Sequence, residues 1–177
     1  MKRRLILTAV LCLALLAMLA TAAAPAALAK ASTMSFSGIE TWAVFPPDPP
    51  VAWNVTGGVV HGEFFNFFTD SAITPARAED MLAGPNATHL FVVATLVDGA
   101  PTDAVIRGTF HKDCAAGEWD GTFRGTMSMV TLAWDITIQG NGVSGDVTGM
   151  IMHGRSVTDV SLAFATLTGT ILAPRGF

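Results

Sequence analysis

The chain has 177 residues, 10 basic and 14 acidic, with two cysteines and no tyrosine. Beyond the N-terminal Lys2-Arg3-Arg4 no basic run remains, and the acidic excess argues against a nucleic-acid or anionic-membrane partner. Cys12 falls in an apolar N-terminal run, so the remaining chain has only Cys114 and no internal disulfide to form.

Lys2, Arg3 and Arg4 precede an apolar stretch from Leu5 to Leu19 and the small-x-small sequence Ala27-Leu28-Ala29. This order is that of a secretory signal peptide, residues 1–29, cleaved after Ala29. The expected destination is secreted or periplasmic, with no stable membrane insertion after cleavage. The competing reading is a retained anchor, since the run is about bilayer length. Residues 30–177 form one domain by size, with 7 basic and 14 acidic residues. Such a domain buries a core without metals or crosslinks.

Alternation then predicts strands. Met34–Phe45 is the first, ended by Pro46-Pro47-Asp48-Pro49-Pro50, because proline lacks a ladder donor. Val51–Val55 is a short strand or extended edge, and Gly57-Gly58 a turn or bulge. Val59–Thr69, with four phenylalanines, is a strong strand. Asp70–Thr88 reads as a long loop with a short helix, Thr74 its N-cap and Pro75 its first position. His89–Val97 and Ala104–His111 are further strands.

From Glu118 to Ser128 the even positions are polar, and the odd ones are Trp119, Gly121, Phe123, Gly125 and Met127. One face is wet and one dry. The apolar phase flips at Val130-Thr131, since Leu132, Trp134, Ile136 and Ile138 are even, which demands a bulge or a reversal. Gly140-Asn141-Gly142 predicts a type I′ hairpin turn. Val143, Gly145 and Val147 then alternate as a strand, Gly154–Asp159 is a loop, and Val160–Leu172 is the last strand. About eight strands with glycine inside them predict an all-β fold: a single antiparallel eight-stranded barrel with one long loop carrying a short helix. A sandwich is the alternative.

The block Gly117–Thr126, Trp134, Gly140-Asn141-Gly142 and Gly145–Gly149 resembles exported bacterial proteins of unknown function that are similar to the allene oxide cyclase and dirigent barrels. The resemblance covers roughly the C-terminal half. It implies a closed barrel with a mostly apolar interior, and carries over no catalytic residue.

Trp119, Phe123, Met127, Met129, Trp134, Met150 and Met152 are the candidate lining of an apolar ligand cavity, methionine being adaptable there. Ordinary core packing is the competing reading. His61 with Glu63 places an imidazole and a carboxylate on one strand face, as does His111 with Asp113, an arrangement compatible with metal ligation or general-base chemistry. A surface pair is the plainer reading. No spacing of histidine and cysteine predicts a metal site, and no cofactor motif appears. The expectation is a non-enzymatic module that binds a small apolar ligand or a partner surface, of undetermined oligomeric state. The alternatives are a cyclase or isomerase acting on a reactive lipid or phenolic intermediate, with His61 and Glu63 as first targets, and an outer-membrane barrel. Polar outward positions at 118–128, Pro174 and the missing tyrosine weigh against the last.

Overall fold

A computed structural model describes residues 30–43, 51–158 and 164–177. Residues 1–29, 44–50 and 159–163 lie outside the described residues, and with them the expected signal peptide, the proline cluster and the start of the expected last strand. The strands are β1 (Ser32–Trp42), β2 (Ala52–Thr56), β3 (Val59–Thr74), β4 (Gly84–Val97), β5 (Ala100–Cys114), β6 (Gly117–Ser128), β7 (Trp134–Gly142), β8 (Ile151–Thr158) and β9 (Phe164–Ala173). Among the described residues one α-helix, α1 (Ala76–Leu82), separates β3 from β4.

Neighbouring strands pair antiparallel from β3 through β9, β9 pairs with β1, and β1 returns to β3. The ring is therefore a closed eight-stranded barrel, and β2 is a ninth strand hairpinned onto β3. Closure satisfies the backbone groups that a flat sheet would leave at its edges.

The β6 register follows its sequence. Trp119, Phe123 and Met127 are buried, whereas Asp120, Thr122, Arg124 and Thr126 are exposed. Inward glycine makes room for rings. A Cβ on Gly121 would collide with the Phe110 ring and the Gln139 carbonyl, and one on Gly169 with the Phe36 ring and the His153 carbonyl. Each buried large apolar side chain stabilises the fold by about 1.5–3 kcal/mol, so this lining carries the barrel.

Several boundaries differ from the expectation. The phase flip is a reversal: β6 ends at Ser128, Leu132 takes a positive φ of 62°, and β7 starts at Trp134. Asn141 is not in a tight turn. It stands in the β7 ladder between Asp120 and Ile151, and the chain reverses later, over 143–150, through a 3-10 turn at Gly145–Val147. The predicted strand at Val143–Val147 is absent for the same reason. Val147 is fully buried by that turn, so its hydrophobicity serves packing rather than alternation. Gly154–Thr158, expected as loop, belongs to β8.

The supposed long loop is mostly strand. β3 runs to Thr74 past a shift in its pairing with β1, where Ala72 takes a φ of 50°. The helix starts at Ala76, with Pro75 at the N-cap position rather than the first turn. Its Ala78, Met81 and Leu82 are buried, and its last carbonyls accept from Trp119 Nε1 (2.7 Å, Met81 O) and Lys112 Nζ (3.0 Å, Leu82 O). Two inward side chains of β5 and β6 thereby fasten α1 over one end of the barrel.

Candidate functional site

The barrel encloses a cavity of about 50 Å³. One wall is apolar: Phe123, Met127, Trp134, Ile136, Met152 and Leu167, from β6 to β9. The opposite wall, from β1, β3, β4 and β5, carries Glu40, Asn66, Asp70, Asn86, Thr88 and Lys112, all buried.

Strand register makes this wall one patch. Glu40 stands opposite Asp70 across β1 and β3. Asn86 stands opposite Phe68 across β3 and β4, so Asn66 and Asp70, two residues to either side of Phe68, are its diagonal neighbours. Lys112 stands opposite Asn86 across β4 and β5.

Within the patch Lys112 forms an ion pair with Asp70, both side chains being almost wholly buried. Burial lowers Lys112 to about 8, against the opposing pull of Glu40 and Cys114. Burial likewise raises the Glu40 carboxyl above its ordinary value, opposed by Lys112 and by a hydrogen bond from Ser156. That bond is one link of a chain: Trp134 Nε1 donates to Ser156 Oγ at 3.0 Å, and Ser156 Oγ donates to Glu40 Oε1 at 3.0 Å. Three further side-chain oxygens, Asp70 Oδ1, Asn66 Oδ1 and Asn86 Oδ1, are buried with no hydrogen-bond partner. Trp42, Phe68 and Trp134 pack together beside Glu40, with centroids 4.5 Å apart for Trp42–Phe68 and 5.4 Å for Trp42–Trp134.

Phe123, Met127, Trp134 and Met152 of the expected lining face the cavity. Trp119 is fully buried but is engaged with α1. Met129 and Met150 are half-buried against the core and do not line the cavity. His61 is exposed on the outer face of β3, and Glu63, also outward, pairs with His89 Nε2 at 2.7 Å. His111 meets Asp120 (2.7 Å) and Asp113 (3.5 Å) on the surface, and the Asp120 hydrogen bond raises its pKa. Cys114 is half-buried, its thiol donating to Gly117 O at 3.0 Å. Among the described residues no group of three His, Cys, Asp or Glu side chains is placed to hold a metal.

The interior charges were not among the sequence candidates. The signal was parity: Phe36, Gly38, Glu40 and Trp42 share one face, as do Ala104, Ile106, Gly108, Phe110 and Lys112.

Fold and site together define a closed β-barrel with a small cavity, apolar on one side and polar on the other. No protein-family model matches the chain, and no curated protein or solved structure is significantly similar to it.

Proposed function

We propose that this protein is an exported, non-enzymatic binding module that holds a small ligand inside its barrel. The ligand has an apolar body against β6–β9 and one polar end against the opposite wall. One observation carries the reading: three buried acceptors on the polar wall have no protein donor. Each such group costs about 1–3 kcal/mol if left unmade, and apolar side chains of similar volume would fill a barrel at lower cost. A ligand that supplies donors gives those residues a use. Their charged neighbours are already engaged, Lys112 with Asp70 and Glu40 with Ser156, which suits holding more than turnover. The Lys2–Ala29 pattern supports export.

Size narrows the choice. An apolar cavity of roughly 150 Å³ accepts benzene. This cavity of about 50 Å³ suits a ligand of a few heavy atoms. Anything larger requires Met127 and Met152 to change rotamer, as methionine does readily.

The test is a thermal-shift and native mass-spectrometry screen of small organic molecules. A ligand at a hundred times its Kd stabilises by about 2.7 kcal/mol, a shift of several degrees. At least one compound is expected to reach this, and Ile138→Phe, which fills the cavity, is expected to abolish the shift. Failure of every compound would end the reading.

A further inference from the structure

We propose that the polar wall is a receptor for the primary ammonium group of a small amine. The inference rests on the binding reading above and names its ligand class. Asn66, Asp70 and Asn86 are 5%, 2% and 7% exposed, all line the cavity, and each presents a buried oxygen without a partner. Register makes them neighbours on two adjacent strands. An alkylammonium has three N–H donors and no acceptor, so it matches three orphan acceptors. A hydroxyl has a single donor to offer and brings lone pairs of its own.

Charge balance points the same way. The patch holds two carboxyl groups, Glu40 and Asp70, and one amine, Lys112. Lys112 is committed to Asp70 and to Leu82 O, so Glu40 lacks a cation of its own. A buried charge is tolerated when it is paired and hydrogen-bonded. A guest ammonium pairs with a Glu40 carboxylate and leaves the interior neutral. Phe68 and Phe110, which line the same cavity, add rings that favour a cation. The apolar wall and the size of the cavity restrict the alkyl group to a short chain.

Binding has a proton signature. The titratable groups around Glu40 are Asp70 and Lys112, with Cys114 beyond Lys112, and Ser156 is its hydrogen-bond donor. Burial raises the Glu40 carboxyl and a neighbouring ammonium lowers it, so binding is linked to proton release from Glu40.

The experiment is calorimetry at neutral pH with ethylammonium chloride, with ethanol as the neutral analogue of equal size and potassium chloride as the ionic control. Ethylammonium is expected to bind, ethanol and potassium not. Repetition from acid to neutral pH in two buffers of different ionisation heat is expected to show a pH window of proton release that Glu40→Gln removes. Asn86→Leu and, separately, Asn66→Ala are each expected to weaken ethylammonium about ten- to hundredfold, the effect of losing a hydrogen bond to a charged group. Ethanol binding as well as ethylammonium, potassium matching it, or unchanged affinity in both asparagine variants would each overturn the proposal. If neutral compounds stabilise the barrel and ethylammonium does not, this inference fails and the binding module stands. If nothing stabilises it, both fail.

Discussion

Trp134 is a diagonal neighbour of Ser156 across the β7–β8 pair, where Ser156 stands opposite Ile136, and its indole N–H donates to the serine hydroxyl at 3.0 Å. The same hydroxyl donates to Glu40, so one fully buried serine serves an indole, a carboxyl and three strands. Ser156→Ala removes both bonds and orphans two buried polar groups. The expected cost is about 1–3 kcal/mol for each orphan, read from urea midpoints. Trp134→Phe in the Ser156→Ala background removes one orphan and is expected to cost less than the two single effects added together. A Ser156→Ala protein as stable as the parent would show that the chain Trp134–Ser156–Glu40 carries no weight.

The Lys112–Asp70 pair predicts an asymmetry. Lys112→Met leaves Asp70 as an uncompensated buried carboxylate, and the expected loss is about 3–5 kcal/mol. Asp70→Leu combined with Lys112→Met removes both charges, and this double variant is expected to equal or exceed the parent in stability. Denaturant titrations of the three proteins decide it. A double variant weaker than Lys112→Met alone would mean that the pair holds the barrel together by itself.

The contrast between these interior charges and β6 shows what alternation makes legible. Glu118 to Ser128 has one wholly polar parity, so its inward face could be read directly, and Phe123 and Met127 line the cavity as that pattern implies. In β3 the phenylalanines Phe64, Phe65, Phe67 and Phe68 occupy both parities. Alternation is then silent, and Asn66 and Asp70 share the inward face unannounced. Phe65 and Phe67 remain exposed. Lys112 lies just past His111, where the predicted strand stops, but β5 continues through it to Cys114. The Asn-Gly signal at 141–142 is local, whereas the ladder partners Trp119 and Asp120 are distant, and the longer-range pairing won. Closure of the ring depends on the β1–β3 pairing, between residues up to 37 positions apart, which no local pattern encodes.

Two inward glycines separate collision with backbone from collision with a movable side chain. A Cβ at Gly121 meets the Gln139 carbonyl and the Phe110 ring. At Gly140 it meets the Met152 terminal methyl at 2.8 Å and the Phe110 ring edge at 3.1 Å. Methionine moves at little cost, and alanine in a strand recovers entropy that glycine loses on folding. Gly140→Ala is expected to change stability by less than about 1 kcal/mol, whereas Gly121→Ala costs about 1–3 kcal/mol through overpacking. Equal denaturation midpoints for the two variants would contradict this packing.

Glu40 and Lys112 together predict a stability minimum between acid and alkaline pH. For Glu40, between the ordinary 4.5 and its raised folded value, the native protein keeps a proton that the unfolded chain has released. Its contribution is complete below 4.5, and stability falls as pH rises through that window. For Lys112, between about 8 and 10.5, the unfolded chain keeps a proton that the native protein has lost, so stability climbs with pH there. His111, raised by Asp120, slopes in the Glu40 direction above 6.5, so the comparison is made in a His111→Gln background. Urea midpoints collected from about pH 4 to about pH 10 are expected to trace a trough. Glu40→Gln, which keeps an acceptor for Ser156, is expected to flatten the acid arm and leave the alkaline arm in place. An acid arm unchanged by Glu40→Gln would assign the slope to another group and detach Glu40 from the buried patch.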